Sequence, residues 1–509
     1  MTRDDALATL AERRFDVLIV GGGIIGAGIA AEAAHAGLAV ALVERGDFGG
    51  ATSSASSKLI HGGLRYLRLG DLRLVRESHA ERRALMTVVA PHLVRKLPFL
   101  FPLYHDGPYR PFTVQAGLWL YSTLARDRLG GFVRPERARR SVPALRIDDL
   151  RGCGIYWDAW TNDSRLCLAT LRAAENAGAV LASRADVQAL RIAGGRAAGA
   201  EVRDLVGGGQ LSVQARAVVN ATGPWIDAIR RLEDPAAGTS SRLSKGVHVM
   251  VSPAEPWSAA LTIPHDKVRV SFAVPWEGML MLGTTDTLYE GDPGAVEASD
   301  EDVRQILDEA SLAVESSLLA RDRVRAVFAG LRVLPGTGPD TASTKRETVL
   351  MRGPARMLTV AGGKLTTYRR IALDALGELR GDLGLPRLAR SPRPLPGASD
   401  LTEATARLGR RYPTLEPTVR IHLAHLYGSL AEEVLAPADE RPELLERLHP
   451  DAPDLAAQAV YAAKREWALA ADDVLRRRTT LALRGLATPE LEARVDELLG
   501  RESERRALA

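Results

Sequence analysis

The residues best equipped for chemistry stand together at positions 52–67, TSSASSKLIHGGLRYL. Five hydroxyls (Thr52, Ser53, Ser54, Ser56, Ser57), with Lys58, His61, Arg65 and Tyr66, surround a Gly62-Gly63 pair, and no Asp or Glu occurs from Phe48 to Gly70. Hydroxyl donors and cations with no carboxylate between them suit an anion such as phosphate. The stretch begins eight residues after Glu44. That acid closes a pattern with phosphate chemistry of its own, and a phosphate-friendly loop beside a bound dinucleotide points to a redox enzyme.

Residues 15–20 (FDVLIV) read as a strand buried on both faces of a parallel sheet. Gly21, Gly23 and Gly26 follow in G-x-G-x-x-G spacing. The first glycine permits a tight turn, the second a close approach of backbone to pyrophosphate, and the third close packing of helix on strand. A helix opening there aims unpaired N–H groups and its positive dipole end at phosphates. Residues 24–36 form that helix, Gly37 ends it, residues 39–43 make the second strand, and Glu44 stands 23 residues after Gly21, where an acid holds ribose hydroxyls. Glycines before a helix often serve turn geometry alone, but here every part occurs in the required order. Glu44 repels a ribose 2′-phosphate and so disfavours NADP. It does not separate NAD from FAD.

At 509 residues the chain is expected to hold two or three domains. Residues 111–125, an uncharged apolar stretch of fifteen, fall short of the roughly 20 needed to span a bilayer. Residues 1–14 carry no apolar h-region, so no secretory signal is expected and the chain reads as cytoplasmic. Cys153 and Cys167 lack disulfide or metal spacing, and neither H-E-x-x-H nor G-x-S-x-G is present. No metal is expected, and the chemistry falls to a cofactor. A net charge of +4 from 67 basic and 63 acidic residues is too balanced to argue nucleic-acid binding. Residues 109–128 are amphipathic, which suits an anionic membrane surface as well as a core or an interface.

Further along, residues 166–176 read as a helix, and 185–193, 200–206 and 211–215 as a meander punctuated by Gly194-Gly195 and Gly207-Gly208-Gly209. Residues 217–220 run into ATGPW, while 245–251 and 268–286 alternate as antiparallel strands of a separate sheet. Residues 326–334, 357–360 and AGGKLTTYRRIALDAL return to strand, glycine turn and helix. The expected organisation is a discontinuous nucleotide domain (14–90, 160–240, 330–390) interrupted by a substrate cap (91–159, 241–329). A proline-rich linker (391–397) then leads to a helical C-terminal domain (398–509).

TSSASSKLIHGGLRYL, VNATGPW, KGVHVMV, GTTD, GLRVLPG and GGKLTTYR together closely resemble the FAD-dependent sn-glycerol-3-phosphate dehydrogenases of the aerobic, respiratory type, as does REWALAADDVLRRRT at 465–479. The resemblance runs through essentially the whole chain. It implies an α/β protein with a glutathione-reductase-like, Rossmann-type FAD-binding domain, an antiparallel β-sheet substrate cap and an all-helical C-terminal domain. It also implies oxidation of glycerol 3-phosphate to dihydroxyacetone phosphate, with hydride passing from C2 to flavin N5 and electrons going on to a membrane quinone. A peripheral location on the cytoplasmic membrane face and a homodimer are implied as well. The alternative is a glycerol-3-phosphate oxidase that reduces oxygen to hydrogen peroxide; such oxidases carry an extra insertion, and no spare segment is evident here.

The substrate pairs a phosphate dianion with a secondary alcohol, which calls for cations at one end and a proton acceptor at the other. The resemblance assigns the phosphate to Arg332 (in GLRVL) and Arg346 (in TKRET), where guanidinium can donate two parallel hydrogen bonds. An arginine is otherwise a surface ion-pair partner. The family places an acid and an aromatic after the second arginine, where this chain has Glu347 and Thr348, and Val333 stands for a proline. His248 is the expected base, although a strand histidine is often structural. Arg65, Tyr66 and Thr284 are implied to line the substrate pocket. Lys364, after Gly362-Gly363 and before a predicted helix, is implied to stabilise negative charge at flavin N1/O2. For FAD, Gly21, Gly23, Gly26 and Glu44 serve pyrophosphate and ribose, Thr52, Ser53 and Ser57 serve phosphate or ring edges, and His61, Gly62 and Gly63 pass beside the isoalloxazine. Gly223, Gly363, Leu365 and Thr366 complete the expected set.

Overall fold

A computed structural model describes residues 1–64, 67, 70–267, 269–336 and 348–508. Its nucleotide sheet runs Val349–Arg352, Leu358–Ala361, Gln210–Asn220, Arg14–Val20, Val40–Val43, Val180–Ala182. The four pairings around Arg14–Val20 are parallel. Val40–Val43, Val180–Ala182, Leu358–Ala361 and the buried C-terminal ends of Arg14–Val20 and Gln210–Asn220 are covered on both faces, by the helices Ile24–His35, Asp163–Asn176 and Tyr368–Glu378 on one side and by Arg3–Glu12 and the Ala185–Ala193 and Arg196–Asp204 hairpin on the other. Gln210–Asn220 is one long strand: its first half pairs antiparallel with Arg196–Asp204 and its second half parallel with Arg14–Val20. The residues read as two strands, 211–215 and 217–220, are therefore continuous.

The second sheet is antiparallel except where Ala260–Pro264 lies parallel to Arg95–Tyr104. It corrects the expected boundaries at two places. Leu59–Ile60 pairs with Ala159 and Trp160, and Val324–Pro335 runs unbroken against Ser241–Val251, so both belong to the cap sheet and not to the nucleotide domain. Along Ser241–Val251 the period of two puts Val247, Val249 and Val251 into one core with the Asp300–Ala310 helix, while Gly246, His248 and Met250 face the opposite side. That opposite side meets the nucleotide domain.

From Leu401 onward the chain is helical, with Leu401–Arg411, Pro417–Tyr427, Ala456–Arg465, Ala471–Arg477 and Pro489–Leu508 around a hydrophobic core of their own. Leu408, Leu423, Val460, Val474 and Val495 are buried in that core.

Candidate active site

The Arg14–Val20 strand, the glycine turn and the Ile24–His35 helix open onto a cavity of about 770 Å³ that extends from Glu44 to Arg332. Gly21 has φ of +110°, and a Cβ there would lie 2.6 Å from the Ala221 carbonyl oxygen. A Cβ on Gly26 would lie 1.9 Å from the Gly21 carbonyl oxygen, so helix and strand meet as closely as the motif requires. Glu44 accepts from the Gly22 and Gly46 N–H groups, at 2.7 Å each, and burial raises its pKa against the pull of those donors. Nearby, the Arg45 guanidinium lies 4.8 Å from the Trp225 ring, beside the turn that begins at Gly223.

The serine-rich loop crosses the mouth of the Ile24–His35 helix. Gly23, its N-cap, has no side chain to offer, and Ser53 Oγ takes that place by accepting from Ile24 N at 2.9 Å. Thr52 Oγ1 donates to the Leu331 carbonyl at 2.7 Å, which commits its proton to the cap sheet. Lys58, counted among the anion-binding cations, is instead 1% exposed and bonded to Asp163 Oδ1 at 2.6 Å. Asp163 also accepts from Ser56 N and Ser56 Oγ, and so supplies from 105 residues away the carboxylate that the loop itself lacks. Its ion pair shapes the loop and leaves Lys58 no role toward an external anion.

At the far end of the cavity, Ser57 Oγ lies 2.9 Å from His248 Nε2. The imidazole is 2% exposed and stacks on Phe328 with centroids 4.9 Å apart, and its Nδ1 has no hydrogen-bond partner among the described residues. Burial, reinforced by the Arg332 and Lys58 charges, holds its pKa well below the usual imidazole range. It is therefore neutral near pH 7 and able to accept a proton. Arg332 projects from the neighbouring strand, donating from Nη2 to Thr284 Oγ1 at 2.8 Å and from Nη1 to the Thr285 carbonyl at 3.1 Å. A Cβ at Gly246 would come within 2.4 Å of Arg332 Nη2, so the glycine of KGVHVMV makes the guanidinium's room.

Gly21, Gly23, Glu44, Thr52, Ser53, Ser57, His61, Gly223, His248, Arg332, Gly363, Lys364, Leu365 and Thr366 all line this cavity. Gly26 supports it from behind. Thr284 reaches it through Arg332, and Gly62 and Gly63 do not line it: Gly62 donates to Asp158 Oδ1 and packs so closely on His79 that a Cβ would meet the ring at 2.1 Å. His61 N and Thr366 Oγ1 join the loop to the Leu365–Thr367 turn, before which Lys364 sits. Arg65, Tyr66 and Arg346 lie outside the described residues. Sequence reasoning missed the Asp163 carboxylate, Gly246, and Asp472 and Arg477, which reach the same cavity from the C-terminal domain. The fold and this cavity define an oxidoreductase of the dinucleotide-binding class, and the glycine cradle, the N–H-bound Glu44 and the extended shape fit FAD.

Residues 16–369 match the family model "FAD dependent oxidoreductase" and residues 391–506 the "C-terminal domain of alpha-glycerophosphate oxidase". The chain is 37% identical over 498 residues to "Glycerol-3-phosphate dehydrogenase 2" of Mycobacterium tuberculosis, spanning 93% of this chain and 82% of that protein. It is 36% identical over 480 residues to the "Aerobic glycerol-3-phosphate dehydrogenase" of Escherichia coli K12, spanning 91% and 93%. A crystal structure of the glycerol-3-phosphate dehydrogenase from Bacillus halodurans complexed with FAD superposes with a TM-score of 0.77 at 28% identity, covering 98% of this chain and 96% of that one. The chain belongs to the FAD-dependent glycerol-3-phosphate dehydrogenase family, and FAD is its cofactor. The motif resemblance and the expected α/β fold class are thereby borne out.

Proposed function

We propose that this FAD-dependent oxidoreductase oxidises sn-glycerol 3-phosphate to dihydroxyacetone phosphate and delivers the electrons to a membrane quinone. The observation that carries the reading is a guanidinium fixed by Thr284 and Thr285 beside a neutral, buried Ser57–His248 pair, both opening into the flavin cavity. When bound, FAD would supply the two-electron acceptor for the hydride that leaves C2 of the substrate. Arg332 binds the phosphate, joined by Arg346, while Arg65 and Tyr66 orient the alcohol. The C2 hydroxyl gives its proton to Ser57 Oγ as the serine proton passes to His248 Nε2, a relay that uses the one imidazole nitrogen with a partner. Gly21, Gly23 and the helix N-terminus with Ser53 hold the pyrophosphate, Glu44 the ribose hydroxyls, and Lys364 with the Leu365–Thr367 turn the pyrimidine edge of the flavin. Phe328, stacked on the imidazole, keeps water from the base.

No described helix is long and apolar enough to cross a membrane. The Pro111–Ala125 helix buries Val114, Leu118 and Tyr121 yet leaves Phe112 85% and Trp119 53% exposed on its other side, with exposed Arg110, Arg126 and Arg128 around it. An apolar ridge rimmed by cations fits an anionic bilayer, where the quinone resides. Two assays test the proposal. Anaerobic glycerol 3-phosphate is expected to bleach the flavin band of the loaded enzyme; an unchanged spectrum refutes the substrate. Turnover is expected with a quinone analogue and without peroxide, whereas peroxide at the rate of turnover assigns the oxidase reaction instead.

A further inference from the structure

The turn that follows Glu44 is gripped from the far end of the chain. Asp47 is 4% exposed and receives Arg477 Nε and both terminal nitrogens of Arg478, with Arg478 Nη2 at 2.7 Å from its Oδ1. Arg477 Nη2 also donates to Asp473 Oδ1 at 2.9 Å, and Asp473 in turn accepts from Arg184 Nη2 at 2.8 Å. Arg184 N bonds the Gly46 carbonyl and Ala185 N the Glu44 carbonyl, so the segment that carries Arg184 also holds the turn through its backbone. One residue on, Phe48 meets Trp467 edge-to-face at 5.1 Å, and its ring fills the space beside Gly22. Gly22 and Gly46 are the two donors that orient Glu44. Asp472 and Arg477 stand in the wall of the cavity beside Arg45 and Gly46.

A carboxylate taken out of water is costly unless it is paired and hydrogen-bonded, and here two guanidiniums give it three charge-assisted bonds. Arg477, Arg478 and Trp467 come only from the docked helical domain, while Glu44, Gly46 and Asp47 belong to the nucleotide unit. We infer that docking of the C-terminal domain completes the ribose-binding turn, so that FAD affinity and docking of that domain are thermodynamically linked. Linkage is reciprocal: if docking tightens FAD, then FAD tightens docking by the same factor. The inference concerns the flavin unit alone and does not depend on the substrate or the electron acceptor.

Two measurements on the full chain test it. First, the loaded enzyme is diluted and flavin fluorescence followed; Arg477→Gln and Arg478→Lys are expected to release FAD at least tenfold more readily than the parent. Second, hydrogen exchange is compared in the parent protein at saturating FAD and after partial depletion. Amides of Ala471–Arg477 are expected to exchange at least fivefold faster in the depleted molecules, while the Leu401–Arg411 helix, which packs within the same domain through Leu408 and pairs with Glu432 and Asp439, changes little. FAD release within twofold of the parent in a folded variant overturns the linkage. So does exchange that is equal in loaded and depleted protein, or that rises alike in both helices. The exchange measurement needs no variant and decides the matter even if both substitutions prevent folding. Neither assay contains glycerol 3-phosphate, so failure here leaves the proposed reaction standing.

Discussion

The two ends of the cavity are built on different scales of sequence. At the Glu44 end, the Gly22 N–H that meets the carboxylate is 22 residues away, and strand, turn and helix are consecutive. At the Arg332 end, Ser57 meets His248 across 191 residues, and Thr52 meets Leu331 across 279. The near end relies on backbone donors and on Gly21 and Gly26, where a Cβ would strike backbone. The far end relies on side chains from three segments, held in register by the cap sheet and by the buried Lys58–Asp163 pair. Gly21 and Gly26 tolerate no added atom, whereas side-chain sites lose function in steps.

That contrast can be broken by experiment. The largest effect is expected from Gly26→Val, whose side chain has no room against the Gly21 carbonyl; flavin content per mole of purified protein should fall to near zero, and a loaded variant would mean the two ends do not differ as described. Next, Lys58→Met strands Asp163 in a dry interior and should cost about 3–5 kcal/mol of stability, read by denaturant unfolding. Arg332→Ala should lower kcat/KM by about 2–5 kcal/mol, as expected when one partner of a charged pair is truncated, while the enzyme keeps its FAD. Normal turnover would remove the phosphate from Arg332.

The smallest effect concerns pH. His79, against Gly62, is 1% exposed, neither ring nitrogen has a hydrogen-bond partner among the described residues, and burial, aided by Arg82, pushes its pKa down to about 4. Unfolded, the same ring titrates near 6.5. The unfolded state therefore binds the extra proton, so this contribution to stability is full above about 6.5 and is lost as pH falls toward 4. His79→Phe should flatten the fall of Tm over that window, and an unaltered slope would show that His79 does not govern it.

Much of the Glu44 end was legible because its logic is local: period, glycine spacing and a terminal acid lie within one short run. The residues of the far end were legible only through family motifs, since a histidine in an alternating strand reads equally well as core. Lys58 misled for a related reason. An acid-free loop looks like an anion site until the fold brings Asp163 to it, and nothing in residues 48–70 announces a carboxylate from the Asp163–Asn176 helix. The cap boundary was misplaced because Val324–Pro335 ends beside the flavin cavity yet pairs along its length with Ser241–Val251. Pairing partners, unlike strand propensity, are not written in the strand.

By itself the sequence determined the nucleotide unit, the alternation of the cap strands and the helical character of the C-terminal domain, because each follows from periodicity and backbone sterics within a few turns of chain. Tertiary structure alone decided which charges are spent and which remain for chemistry. Lys58 goes to Asp163, Asp47 to Arg477 and Arg478, and His248 is kept neutral by burial between Ser57 and Phe328. The physical reason is that desolvation and ion pairing depend on distances through space, and those are set only when segments hundreds of residues apart pack together.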